Sequence, residues 1–230
     1  MSDPFPARAT PDEARAIVAA LRSRGPVVGT DEAGRGPLAG PVVAAAVCLT
    51  SEQEDALLSM GLRDSKRMSA RARERVFGAM MEMGAPLRAQ AASVERIERE
   101  DVLRASLWAM GRSVARLCEA MSAHAACVIV DGPARVPWLD AAQWPLVSAD
   151  GIVPVVAAAS VVAKVLRDRV MTALDPLWPG YGLAQHKGYP TAAHRAALSE
   201  LGPSPIHRRS FCRKILSGEG GDGACPRSIT

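Results

Sequence analysis

The sequence predicts a mixed α/β sheet covered by helices, and three observations carry that prediction. Short β-branched or alanine-rich runs bounded by Gly and Pro stand at 26–31, 41–49 and 87–93. The continuous apolar run Cys127-Val128-Ile129-Val130 ends in Asp131-Gly132, the pattern of a strand buried on both faces. Elsewhere the apolar residues recur at helical spacing. With 230 residues, 48% of them apolar and 23% charged, the chain suits one large domain with an appendage, and intrinsic disorder of the whole is excluded.

In chain order, Thr10-Pro11-Asp12-Glu13 reads as a capping box with proline at the first helical position, opening a helix that ends near Gly25. Two adjacent strands, Pro26 to Asp31 and Pro41 to Leu49, are joined by a glycine-rich loop. Ser69 opens a helix through about Met83, Leu87 to Ser93 forms a third strand, and a long helical region over 94–122 turns Ile97, Val102, Leu107, Val114 and Leu117 inward. The buried strand at 127–130 follows, then a fifth from Trp144 to Ser148, a helix from Val153 to Leu174, a loop through Gly188 and a helix from Thr191 to about Leu201. The expected organisation is an N-terminal helical segment (1–25), a catalytic core (26–180), a basic helical substrate-binding region (181–216) and a disordered tail (217–230).

The apolar stretch Ile152 to Ala163 is well short of the roughly 20 residues that cross a bilayer, and no apolar core precedes residue 16, so a cytoplasmic protein without membrane contact is expected. The five cysteines are scattered without a C-x-x-C pair, which suggests neither a disulfide framework nor a zinc site. The net charge of +4 is concentrated: residues 184–216 hold Lys187, Arg195, Arg208, Arg209, Arg213 and Lys214 against Glu200 alone. His186, His194 and His207 share that segment, which reads either as a solvated basic face or as a polyanion-binding surface with Lys187, Arg208 and Arg209 each meeting a phosphate.

The chemistry concentrates in Gly29-Thr30-Asp31-Glu32-Ala33-Gly34-Arg35-Gly36-Pro37-Leu38-Ala39-Gly40-Pro41. Neighbouring side chains on a strand face opposite ways, so Asp31 and Glu32 converge on one ion only where the strand ends. Gly34 and Gly36 invite a dinucleotide-binding reading, but Pro37 and Pro41 lead into a strand rather than a helix, and Gly40 breaks the fingerprint spacing. Asp131 ends the buried strand at the carboxyl edge, where open α/β sheets place ligands. Asp150 precedes the apolar helix and also suits a helix-entry residue, while Asp168, four residues after Lys164, suits a helix-surface ion pair. Carboxylates acting with water suit Mg2+ or Mn2+ and point to phosphoryl transfer.

The stretches GTDEAGRGPLAGPVVAAAV, LRDSKRMSARARE, VIVDG, DGIVPVVAAASVVAKVLRD and YGLAQHKGYPTAAH resemble, in order, the successive motifs of the type 2 ribonuclease H family, and closely those of its bacterial ribonuclease HII members. The resemblance covers roughly residues 27–210. It implies a ribonuclease H-like fold, a mixed five-stranded sheet flanked by helices with a helical C-terminal extension. It also implies a monomeric endonuclease that hydrolyses the RNA strand of RNA/DNA hybrids. The same enzyme would cut 5′ to ribonucleotides embedded in duplex DNA, serving ribonucleotide excision repair. By motif position Asp31, Glu32, Asp131 and Asp150 would hold two Mg2+ or Mn2+ ions. Asp150 departs from the family pattern in following Ala149 rather than glycine, which leaves Asp168 as the alternative fourth acid. Arg35 and the amides of Gly34 and Gly36 would embrace the 2′-hydroxyl, Lys66 a phosphate, and Tyr189 would stack on the following deoxyribose. Lys164, Arg167 and Lys187 would support phosphate contacts or the site. Two other functions keep part of the sequence: another two-metal nuclease of the same fold needs the acids alone, and an inactive nucleic-acid-binding protein needs only the basic segment.

Overall fold

The computed structural model describes residues 5–216. The expected tail at 217–230, which includes Cys225, lies outside the described residues. Five strands form one mixed sheet: β1 (Val27–Ala33), β2 (Val42–Cys48), β3 (Leu87–Ala92), β4 (Cys127–Asp131) and β5 (Gln143–Leu146), in the spatial order β3-β2-β1-β4-β5. β1 is antiparallel to β2 and parallel to β4, and β4 is parallel to β5, so β1, β4 and β5 all point their carboxyl ends to one edge.

Nine α-helices surround the sheet among the described residues: α1 (Pro11–Arg22), α2 (Ser51–Ser59), α3 (Ala70–Glu82), α4 (Val94–Glu100), α5 (Val102–Met121), α6 (Pro154–Leu174), α7 (Leu183–His186), α8 (Ala192–Leu201) and α9 (Arg209–Leu216). The α1 capping box is formed on both sides, Thr10 with Glu13. A second box, Thr50 with Gln53, starts α2, a helix that the alternation of apolar residues does not announce. The region expected as one helix over 94–122 is two, because Asp101 adopts φ 86 between α4 and α5 and caps α5 through its carboxylate.

The core lies in two layers. One face of the sheet packs on α5 through Val28, Ala44, Val114, Val128 and Val130; the other packs on α6 through Ala45, Ile129, Val155 and Ala159. Helix α6 runs along β1 and extends past the end of the sheet. Near its start, Val155 backbone stands where a β-carbon on Gly29 would come within 2.6 Å, so only glycine at that strand position admits the helix. Farther on, the same helix carries Met171 into a small cluster with Ala39, Tyr181 and Leu183, which seats the C-terminal elements against the loop between β1 and β2. The free edge at β5 is covered by the N-terminal segment: Trp144 Nε1 donates to Pro6 O at 2.7 Å, Val147 N to Ala7 O at 3.2 Å, and Phe5 stacks on Trp144.

A carboxylate cluster beside a guanidinium-clamped glycine loop

Three carboxylates meet at the carboxyl edge. Asp31 near the end of β1, Asp131 ending β4 and Asp150 in a 3-10 turn (Ala149–Gly151) after β5 each offer an oxygen, and these oxygens lie within 4.8 Å of one another. The strand order makes this possible, because β1 and β4 are neighbours and β5 adjoins β4. Asp150 N donates to Asp131 Oδ1 at 3.4 Å, tying the turn to the strand. Glu32 stands differently. β1 continues to Ala33, with Glu32 opposite Ala44 in the ladder, so the side chain is not among those three and ion-pairs with Arg35 at 3.4 Å. Asp168 is not part of the cluster: it pairs with Lys164 at 2.7 Å and Arg73 at 3.6 Å.

The electrostatics of the cluster are those of anions short of cations. Burial, then Glu32 and Asp131, push the Asp31 carboxyl well above the usual range, although Ser160 donates to it and opposes the rise. Burial also pushes Glu32 up to about 7 despite Arg35, and burial with Asp150 pushes Asp131 up to about 6. Asp150 is raised by burial in spite of Lys66. Lys66 reaches Asp150 at 3.4 Å with its side chain 78% exposed, so its ammonium faces both the acids and solvent. Partial burial works against its charge, but Asp150 and Asp31 outweigh that and raise its pKa. Its place is fixed from below: Ser65 Oγ shares a hydrogen bond of 2.8 Å with Ser160 of α6, Asp64 caps the turn, and Arg73 donates to Ser65 O and Met68 O.

Residues 34–41 bend over the same edge. Arg208 and Arg167 are both fully buried. Arg208 donates to the carbonyls of Gly34 (2.7 Å), Arg35 (2.9 Å) and Gly40 (2.8 and 3.0 Å). Arg167 donates to Pro41 O (3.0 Å), Ala39 O (3.2 Å) and Lys187 O (3.0 Å). Backbone bonds from Leu38 to Gly188, Gly40 to Ile206 and Arg208 to Leu38 knit the loop to the C-terminal segment.

This overturns the expectation that Arg208 meets a phosphate, since its guanidinium never reaches solvent. Lys187 is also committed, to Thr172 Oγ1 at 2.6 Å and to the Ala184 carbonyl. In the described part of 184–216, Arg209 and Arg213 remain as exposed arginines. The histidines are scaffold: His194 Nε2 and His207 Nε2 share a hydrogen bond of 3.0 Å, His186 stacks on His194, and His194 Nδ1 bonds Tyr189 O. They hold the Tyr189 backbone while its ring stays 38% exposed, with Lys164 Nζ 5.3 Å from the ring centroid. A second exposed basic group, Arg63, Arg67 and Arg71, flanks Lys66.

The two glycines stand in different surroundings. A β-carbon on Gly34 would lie 2.0 Å from Arg167 Nε, whereas one on Gly36 would meet nothing within 4 Å. Ser160, Ser65 and the clamping role of the two arginines escape sequence reasoning, because each depends on a partner distant in the chain.

A family model described as Ribonuclease HII matches residues 28–214. The ribonuclease HII of Halorhodospira halophila is 47% identical over 194 residues, covering 84% of this chain and 95% of that protein. That of Nitrobacter hamburgensis is 48% identical over 202 residues, covering 87% and 72%. Among solved structures, the ribonuclease H2 of Pyrococcus horikoshii superposes with a TM-score of 0.66 at 23% identity, covering 84% of this chain and 98% of that one. Bst-RNase HIII, solved in complex with Mn2+, gives 0.71 at 20% identity, covering 84% and 69%. The mixed five-stranded sheet with flanking helices is the fold of these ribonucleases.

Proposed function

From the premise that the chain belongs to the ribonuclease HII family, and so is a nuclease with ribonuclease H activity on RNA/DNA hybrids, we propose that it also cuts 5′ to single ribonucleotides embedded in duplex DNA. The products would carry 3′-hydroxyl and 5′-phosphate ends. The carrying observation is the convergence of Asp31, Asp131 and Asp150 beside a glycine turn whose Arg35 and Gly36 amides make no hydrogen bond within the described residues.

The donor set fits a hard divalent cation. It is all oxygen, three of its acids are raised by mutual repulsion as well as by burial, and the one nearby ammonium is itself largely in water. Asp31, Asp131 and Asp150, with Glu32 alongside, would hold Mg2+ or Mn2+. Two such ions supply activation of water and stabilisation of charge on the phosphoryl group and the leaving 3′ oxygen. Lys66 binds a non-bridging phosphate oxygen from the open side. Arg35 and the amides of Gly34 and Gly36, with the Arg35 amide between them, would approach the 2′-hydroxyl, which distinguishes RNA from DNA. The exposed Tyr189 ring stacks on the next deoxyribose, where a further hydroxyl would crowd it. In this reading residues 26–180 would carry the chemistry, and the basic helical region 181–216 would bind substrate and present Tyr189.

Product mapping on end-labelled duplexes with one ribonucleotide, four or none, in Mg2+ and in Mn2+, tests this. A single cut 5′ to the lone ribonucleotide and none in all-DNA duplex is expected. Cutting of the all-DNA duplex, or a cut 3′ to the ribonucleotide, would refute it.

A further inference from the structure

Arg167 and Arg208 present an energetic puzzle. A guanidinium removed from water ordinarily requires an anion. Neither forms an ion pair among the described residues; Asp168, next in sequence to Arg167, is taken by Lys164 and Arg73. Their partners are instead six backbone carbonyls, those of Gly34, Arg35, Ala39, Gly40, Pro41 and Lys187. Two buried charges are thus committed to a loop that is itself buried except at Arg35 and Gly36, so they fix how those two residues are presented.

The geometry shows what is gained. In a trans peptide the C=O and N–H vectors are antiparallel. Arg208 draws the Gly34 carbonyl inward, so the Arg35 N–H points out; it draws the Arg35 carbonyl inward, so the Gly36 N–H points out. Both successive N–H groups are thus turned away from the buried guanidinium toward the exposed side of the loop at Arg35 and Gly36, where backbone amides bind oxygen anions and hydroxyls. Arg167 ties the other limb of the same loop to Lys187 O, two residues before Tyr189, and its guanidinium carbon stands 5.6 Å from the Tyr189 ring centroid. Resting on the function proposed above, we infer that Arg167 and Arg208 are positioning residues for sugar discrimination. Arg208 aims the Arg35 and Gly36 amides at the ribose hydroxyl, and Arg167 sets the distance from those amides to the tyrosine.

Arg208→Lys tests the aim, because lysine keeps charge and bulk but lacks the planar fork that spans three carbonyls. On a duplex with one ribonucleotide, kcat should fall by about 30-fold or more, the order of losing an aimed backbone donor. KM and the Mn2+ affinity read by calorimetry should change by less than about threefold, since phosphate and metal contacts are elsewhere. Arg208→Ala should regain kcat on addition of guanidinium well below denaturing concentrations, and not of ammonium. Arg167→Lys should lower the preference for a lone ribonucleotide over a run of four, and it decides the matter if Arg208→Lys fails to fold. Parental kcat in both lysine variants, or a loss of kcat accompanied by an equal loss of Mn2+ affinity and no guanidinium rescue, would overturn the inference. If the parent protein cuts all-DNA and ribonucleotide duplexes equally, the ribose-reading function fails and takes the inference with it. If the parent discriminates and the variants discriminate as well, only the inference fails.

Discussion

Replacing Gly34 and Gly36 separately by alanine distinguishes a glycine required by the fold from one required by the substrate. Gly34 sits at φ +104, and a β-carbon there would lie 2.0 Å from Arg167 Nε, 2.5 Å from its Cδ and 2.9 Å from Pro41 O. The backbone conformation alone costs an alanine about 1–3 kcal/mol. Making room requires Arg167 to shift off its carbonyls, and losing two of its three such bonds at about 1.5–3 kcal/mol each brings the total to about 4–9 kcal/mol. That is a large part of the roughly 5–15 kcal/mol that holds a domain folded. Gly36 has no positive φ and open space at its β-carbon position, so alanine there should leave stability within about 1 kcal/mol. Its methyl would instead stand between backbone and ribose. Leaving the amide donors without their hydroxyl partner, about 1–3 kcal/mol, lowers kcat/KM by about 5- to 150-fold. Chemical denaturation of both variants and steady-state cleavage of a single-ribonucleotide duplex by Gly36→Ala measure the two effects. A Gly34→Ala protein as stable as the parent, or parental kinetics in Gly36→Ala, would refute the reasoning.

Asp31→Asn should abolish cleavage while duplex binding at fixed salt persists, because most duplex affinity comes from phosphate contacts; turnover within tenfold of the parent would refute the assignment. The raised carboxyls of Asp31, Glu32 (about 7) and Asp131 (about 6) bind more protons in the folded than in the unfolded state between roughly pH 4 and 7. Their contribution to the stability of the metal-free protein therefore falls as pH rises through that window, and denaturation midpoints at pH 5 and 8 read it. Mn2+ must displace those protons, so calorimetry at pH 6 in buffers of different ionisation enthalpy should register proton release, and affinity should be higher at pH 8. Replacing the exposed Arg63, Arg67 and Arg71 together by alanine should flatten the log-affinity against log-salt slope by about 2–3 units, at about 0.9 per phosphate contact; an unchanged slope would place the duplex elsewhere.

The carboxylates were legible because an acid closing an apolar strand is a local signal: Asp131 after Val128-Ile129-Val130 states both the strand and its end. Capping boxes are equally local, which makes α1 readable from four residues. Glu32 was less so, since whether β1 stops before or after it depends on pairing with Ala44, supplied by another strand. The break at Asp101 rests on a single φ angle inside otherwise helical sequence. Arg208 marks the limit most clearly. In HRRSF it and Arg209 look alike, yet one is exposed and the other lies under carbonyls more than 160 positions away in the chain. A run of basic residues reports charge, and only the folded chain reports which charges water can see.

Helix α6 also acts as a gauge. Ser160 faces Asp31, Arg167 faces the loop at Gly34, and Met171 lies under Gly40. Seven residues separate the first two, about 10.5 Å of rise and within about 20° of two whole turns. The spacing between the carboxylate cluster and the glycine loop is thus set in helical phase, and it can change only in discrete increments. A single-residue deletion between Ser160 and Arg167 would shorten it by about 1.5 Å and rotate Arg167 by about 100°, off the loop altogether. The tolerance of this segment is accordingly one of length more than of composition: side chains facing solvent are free to vary, while the number of residues is not.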